Sequence, residues 1–345
     1  MVMRQHLTYS ALLALLLTVV LAGCQREPLP ENGGAIAFSI APATISGEVT
    51  KAATKADPSA QADLVAVGKT VKVYGSYTGS TDPLFNGVTL TCSEVSATGS
   101  TWTYSPLQYW SENSTHKFRA VFPDSAAGQA YSVAEDLLTV SGYSMATGYD
   151  LMAASAQQEA ASRTSDKVTW KFRHACAAVC FQFAKAKGDT ETYSITSLSL
   201  QDIATSGDLA YVGLQDDDIN LNEWTPSTTL GSYTWPGTSP WTVVESTTTS
   251  PVTYSPLSPE WAFAVPQTLA ASSSVTVSYD AGTGTDIQHL TVTLPLVSTN
   301  TTKIEKWEPG KKYTYKILVN PNAIELSVGW TDWLDGSTHT FDPVG

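Results

Sequence analysis

Apolar and polar residues alternate with a period of two along most of this chain, the pattern of strands with one buried face. The longest such run is residues 167–184. There Val168, Trp170 and Phe172 alternate with Thr169, Lys171 and Arg173, and His174, Cys176 and Cys180 continue the even positions. From Val179 onward the phase flips, and Val179, Phe181 and Phe183 take over at odd positions. A strand changes faces only through an extra residue or a change of neighbours. The small residues at 175–178 are therefore expected to form a bulge or a crossing between sheets. A run this long belongs at the centre of a sandwich, and it is expected to be the spine of a second β domain.

The same alternation places shorter strands on either side. Ile36, Phe38 and Ile40 share one face of a first strand. Val71, Val73 and Tyr77 line another, residues 88–92 and 102–104 suggest two more, and Phe118, Ala120 and Phe122 mark the next. Tyr193 to Leu200 reads as a strand. Val275, Val277 and Tyr279, a Gly282-x-Gly284 turn, and Leu290, Val292 and Leu294 read as a hairpin. Tyr313, Tyr315, Ile317 and Val319 give the cleanest strand, followed by Ile324, Leu326, Val328 and Trp330. No stretch carries a long helical period. The expected fold class is all-β, with two sandwich domains. The expected division is 35–154 for the first domain, 155–166 for a non-periodic linker, and 167–345 for the second domain. Within the first, residues 48–62 hold Val49 as their one large apolar side chain and are expected to be an exposed loop.

The N-terminus adds a targeting signal. Arg4 and His6 precede an apolar stretch at 11–21, which as helix would span about 16 Å, short of the roughly 30 Å hydrocarbon core. Residues 1–23 are thus expected to be a signal peptide. It ends Leu21-Ala22-Gly23-Cys24, which resembles a bacterial lipobox whose cysteine thiol receives the lipid. Residues 24–34, polar with two prolines and a Gly-Gly, read as a tether from that lipid to the folded part.

Composition narrows the function classes. The chain has 345 residues, 15% charged and 10% aromatic, with a formal net charge of −13. Lys and Arg are scattered, so nucleic acid is not an expected partner. An acidic chain is also repelled by anionic membrane surfaces, so attachment there must be covalent or by insertion. Five histidines, at 6, 116, 174, 289 and 339, show no metal-ligand spacing, and neither a metal nor another cofactor is expected. His174 reads as a hydrogen-bonded core histidine. The acidic turn at 215–220 lacks the bidentate glutamate of a calcium loop. No nucleophile elbow or zinc-protease helix is present, and no enzymatic activity is expected. Cys92, Cys176 and Cys180 are an odd set. They read as three buried thiols, with a bridge from Cys92 to one of the other two as the alternative. Trp224, Trp235, Trp241 and Trp261 either fill a core or stack on a ligand such as a sugar.

The central run Phe172-x-His174 with Val179-x-Phe181-x-Phe183 resembles the central strand of the fimbrillin family, the lipoprotein pilins of Gram-negative anaerobes. In the family's order stand Tyr109-Trp110, Phe118-x-Ala120-x-x-Pro123, Asp150-Leu151-Met152-x-Ala154, Val265-Pro266-Gln267, Trp307-x-x-Gly310-Lys311-x-Tyr313-x-Tyr315, and Val328 with Trp333. The resemblance implies two transthyretin-like β-sandwich domains and a lipid on Cys24. It also implies an outer-membrane, cell-surface location in a fimbria and assembly with other pilin subunits by donor-strand exchange. A receptor on a host or bacterial surface is the further partner that adhesion implies. In the family a trypsin-like protease cuts after a basic residue in the region of 48–62. Here Lys51 and Lys55 occupy the matching Thr-x-Ala sites, not arginine, so either the protease accepts lysine or this subunit is never cut and stays anchored. A cut frees the strand of Ile36, Phe38 and Ile40, which is expected to cover a hydrophobic groove in the first domain. The competing reading is a glycan-binding surface lipoprotein of a polysaccharide-uptake system.

Overall fold

The computed structural model describes residues 34–40, 64–96, 99–126, 128–213, 219–236, 240–297, 304–320, 323–332 and 338–339. Cys24, Lys51, Lys55, residues 215–218 of the acidic turn and most of the C-terminal tail lie outside the described residues. What is described is all-β, with two short 3-10 turns and no α-helix among the named elements.

The first sheet has eight strands. In spatial order they are β10 (Arg173–His174), β8 (Met152–Glu159), β5 (Thr115–Phe122), β2 (Thr70–Tyr77), β3 (Phe85–Ser96), β4 (Gly99–Thr103), β1 (Ala37–Ile40) and β9 (Lys167–Trp170). Its two outermost strands are neighbours in sequence, separated by Lys171 and Phe172 alone. The sheet therefore curls until its edges approach each other, although β9 and β10 are not paired. Inside the curl lies one hydrophobic core, holding Phe38, Phe85, Trp102, Trp110, Phe118, Trp170 and Phe172.

A five-stranded sheet runs β17 (Ser255–Ala264), β11 (Ala177–Lys185), β22 (Lys311–Asn320), β23 (Ala323–Asp332) and β24 (Thr338–His339). Another runs β15 (Gly231–Thr234), β12 (Tyr193–Ile203), β19 (Ser274–Ala281) and β20 (Gln288–Pro295), with β16 (Trp241–Thr242) also on β12. Phe181, Tyr193, Trp235, Tyr279 and Tyr315 belong to the second core between them. Every second residue of β22 from Tyr313 to Val319 is buried, as the alternation predicted. The hairpin of β19 and β20 also forms as expected, in register from Ser274↔Pro295 to Ala281↔Gln288. Its turn needs Gly282, whose φ is +107° and where a side chain would run into the Asp286 carbonyl.

The run at 167–184 is not one strand. Lys167–Trp170 pairs in parallel with β1, Arg173–His174 pairs with β8, and Ala177–Lys185 sits between β17 and β22 in the other sheet. The phase change is thus a crossing between sheets. Phe172, expected in the second domain, packs in the first core. The expected linker 155–166 is also strand through Glu159, and the chain leaves the first core only after Phe172.

A four-stranded sheet joins the halves. β14 (Trp224–Pro226) and β13 (Ser206–Tyr211) pair with β7 (Leu137–Ser144) and β6 (Gln129–Ser132), although β6 and β7 precede 154 in sequence. A two-stranded ladder of β18 (Gln267–Thr268) and β21 (Lys306–Trp307) completes the set. Arg119 on β5, almost fully buried, donates to Asp136 Oδ2 at 2.8 Å. Tyr131 donates to Asp136 Oδ1 at 2.8 Å, so one carboxylate fastens the β6–β7 hairpin to the first sheet. Burial, with that carboxylate beside it, pushes the Tyr131 phenol up to about 12.

Candidate functional site

β1 is a four-residue strand held on both sides. It pairs antiparallel with β4 through Phe38↔Trp102 and in parallel with β9 from Ala37↔Lys167 to Ile40↔Trp170. Ile36, Phe38 and Ile40, the residues expected to cover a groove in the first half, are each 0–1% exposed. Phe38 is the centre of an aromatic nest. Phe85, Phe118 and Tyr104 meet it edge-on at 5.5, 5.6 and 5.8 Å, and Trp170 stacks on it at 5.5 Å. Aromatic pairs at such separations add to the burial of their surface.

Polar groups fix the strand's register. Ile40 N–H donates to Ser100 Oγ at 3.0 Å, and that hydroxyl lies 3.3 Å from the Ile40 carbonyl it donates to. Trp102 Nε1 donates to the same oxygen at 2.8 Å. Tyr104 hydroxyl donates to the Ile36 carbonyl at 2.7 Å, and Ile36 and Ala37 N–H donate to the carbonyls of Gln108 and Asp166. Gly99 permits this close approach, since a Cβ there would sit 2.9 Å from Ser39 Oγ at a φ of +148°. Beside this strand, the buried indole N–H groups of Trp110 and Trp170 have no acceptor among the described residues. Ser100→Ala is expected to destabilise the first core by about 1–3 kcal/mol, because it strands the Ile40 and Trp102 donors in a buried site. A chemical denaturation midpoint equal to wild type would show that β1 does not depend on this hydroxyl.

The other candidates resolve into structural roles. His174 lies in the second half's approach with Nδ1 2.6 Å from Asp150 Oδ2, its side chain 1% exposed, a hydrogen-bonded core histidine as expected. His116 is buried, its Nε2 accepting from Ser111 N–H at 3.1 Å, and burial lowers its pKa. Cys92 belongs to the first core and Cys176 to the second. No disulfide joins the three buried cysteines, which excludes the Cys92 bridge among the described residues. Burial, with the Asp150 carboxylate near, raises the Cys176 thiol far out of the range of a nucleophile. Trp224 and Trp235 are buried, and Trp241 and Trp261 pack partly buried against the second core. Trp224 donates to the Ala175 carbonyl at 2.8 Å, pinning its segment to the sheet crossing. Among the described residues no group of three His, Cys, Asp or Glu side chains is placed to hold a metal ion, and no helix is long and apolar enough to cross a membrane.

The feature that sequence reasoning found only by resemblance is the setting of β1. Its alternation was legible, but its seat between β4 and β9 was not, because β9 lay hidden in the run assigned to the second half.

The site is thus the seat of β1, and it lies in an all-β chain with two cores. This chain belongs to the fimbrillin-like family, whose model matches residues 50–333. No curated protein matches it. Solved structures share the fold. A candidate cell adhesion protein from Bacteroides uniformis is 18% identical, with 87% of this chain and 98% of that chain covered and a TM-score of 0.53. A fimbrial protein from Bacteroides vulgatus is 14% identical, with coverages of 88% and 100% and a TM-score of 0.53. A candidate cell adhesion protein from Parabacteroides distasonis is 12% identical, with coverages of 89% and 99% and a TM-score of 0.52.

Proposed function

We propose that this protein is a structural or accessory subunit of a fimbria acting in cell adhesion, anchored at the outer membrane through lipid on Cys24. It joins other subunits by strand donation and carries no catalytic activity. Two domains divide the labour, the first built on the core around Phe38 and the second on the core around Phe181, with the crossing at 173–176 between them. The observation that carries the reading is the seat of β1. A short strand fills an aromatic nest between two other strands, while the chain on its C-terminal side passes through 41–63, where Lys51 and Lys55 stand. Burying each of Ile36, Phe38 and Ile40 is worth roughly 1.5–3 kcal/mol, so β1 stays seated while it is covalently attached. Once cut free it becomes an exchangeable ligand. Its departure exposes the edges of β4 and β9 together with an apolar groove, an acceptor for a strand of another subunit. An incoming strand with a side-chain acceptor opposite Trp170 also satisfies an N–H that β1 leaves unmet.

Against the glycan-binding alternative, Trp224 and Trp235 are buried in the second core, while Trp241 and Trp261 pack against it partly exposed.

The test combines anchoring and processing. Cys24→Ser is expected to move the protein from the membrane fraction to the soluble fraction. Limited trypsin digestion of that soluble chain is expected to cut after Lys51 or Lys55, release the segment with β1, and yield higher oligomers on gel filtration. Lys51→Gln with Lys55→Gln is expected to remain intact and not to form them. A cut chain that loses β1 and stays monomeric would overturn strand donation, and a Cys24→Ser chain still held in the membrane fraction would overturn the lipid anchor.

A further inference from the structure

A second strand edge stands open, far from the β1 seat. β20 ends its sheet, paired with β19 on one side and with no strand on the other among the described residues. Natural edge strands are commonly guarded by lysine, proline, a bulge or a covering loop. β20 has no lysine or other formally charged residue besides the titratable His289, its proline is the last residue, and its register with β19 has no shift. Its outer face carries a ladder of hydroxyls, Ser278 with Thr291 at 3.0 Å and Thr276 with Thr293 at 3.1 Å, closed by Asp280 with His289 at 2.6 Å. Its inner face is apolar but incompletely covered. Leu290 is 37% exposed, and Val292 and Leu294 are only partly buried.

The opposing sheet ends on the same side in the two-residue β24, which pairs with β23 only at Trp330 and Thr331 among the described residues. Phe181 on β11 meets Trp235, which follows β15, at 5.4 Å, so β11 stacks over the β15 end of the other sheet. Counting outward from there brings β22 over β12, β23 over β19 and the two-residue β24 toward β20. On β23, Ile324, Leu326, Val328 and Trp330 are likewise only partly buried against the core.

We infer that β20 is a self-association edge, pairing antiparallel with β20 of a second copy of this chain. The sequence specifies the occupant. Residues 290–294 read Leu-Thr-Val-Thr-Leu, the same in both directions. A two-fold axis through Val292 therefore sets Leu290 opposite Leu294 of the second copy, Thr291 opposite its Thr293, and Val292 opposite its Val292. Side-chain period two keeps every apolar residue on the inner face and every threonine on the outer face. No formal charge meets its like along the pairing, although the whole chain carries −13. The second copy's Leu290, Val292 and Leu294 then continue the apolar inner face past the β20 edge. Such an isologous contact closes at two subunits instead of propagating. One eight-residue edge is small against the roughly 1,200 Å² of a standard interface, so the dimer is weak, with a Kd on the order of 100 µM. This association is independent of the β1 seat and needs no proteolysis.

The test uses the uncleaved chain with Cys24→Ser, so that neither lipid nor a vacated groove drives association. Sedimentation equilibrium up to roughly 1 mM is expected to show reversible dimers, and Thr291→Lys with Thr293→Lys to weaken them at least tenfold, since lysine then faces lysine at both outer positions. Thr291→Lys with Thr293→Glu is expected to dimerise as well as the wild type, because each lysine then faces a glutamate of the second copy. Both pairs alter exposed positions, and an unchanged thermal melt confirms that each variant is folded. A wild-type chain that stays monomeric at the highest concentration overturns the proposal. So does a double-lysine variant that dimerises as wild type, or a lysine–glutamate variant that fails as the double-lysine one does.

Discussion

Phe38→Ala is expected to destabilise the first core by about 3–5 kcal/mol, the usual cost of deleting a fully buried ring. The site offers no easy collapse. Four aromatic neighbours surround the ring, and three of them, Phe85, Phe118 and Trp170, are themselves fully buried. The loss should fall first on β1, a strand of four residues whose hold depends on this one side chain more than on any other. Hydrogen exchange at Ala37–Ile40 should accelerate before the rest of the sheet is affected. A melting temperature about 10 °C lower is the expected reading at 2–4 °C per kcal/mol. Phe38→Leu, which refills most of the volume, should recover the larger part. A Phe38→Ala chain that melts within 2 °C of wild type, with unchanged exchange in β1, would mean that the strand is not seated by this ring.

Phe181→Ala should cost a similar amount, about 3–5 kcal/mol, in the other core. Phe181 stacks on Tyr315 at 5.0 Å and meets Trp235 edge-on at 5.4 Å. Tyr315 in turn accepts from Trp307 Nε1 at 3.0 Å, so the ring supports a buried polar contact as well as packing. Calorimetry on the two variants also reads the coupling between the cores. The sheet of β6, β7, β13 and β14 takes strands from both halves, and Asp136 ties its hairpin to Arg119. Each substitution is therefore expected to lower both halves together in one transition. Two separated transitions, with only one moved by each substitution, would show that the shared sheet does not couple them.

Most strands were legible because their faces differ: β22 and β19 bury one face and wet the other, and their alternation survives in the sequence. The run at 167–184 misled for the opposite reason. Ala177–Lys185 lies between two strands with nearly every residue buried, so apolar side chains occupy both phases, as in other strands covered on both faces. Next to the half-buried alternation of Lys167–Trp170 it reads as one strand that changes phase, although the two pieces serve different cores. The hairpin of β6 and β7 misled through topology. Its neighbours in sequence belong to the first sheet, while its partner β13 lies beyond 200, and no local pattern encodes a pairing across that distance. The aromatic partners of β1 were hidden likewise, since Trp170 and Tyr104 come from segments more than sixty residues away.

The parallel pairing of β1 with β9 bears on how the proposed fimbrial subunit carries load. A pull along the axis of β1 strains the whole ladder from Ala37↔Lys167 to Ile40↔Trp170 in shear, along with the bonds to β4 on the other side. Bonds loaded in shear share the force and must yield together, whereas a strand peeled sideways gives up its bonds one at a time. The ring of Phe38 adds a mechanical stop, because sliding the strand lengthwise drags it against Phe85, Phe118 and Trp170. Any strand occupying this seat is thereby gripped against axial tension much more firmly than against transverse prying, a directional strength suited to a thread pulled end to end.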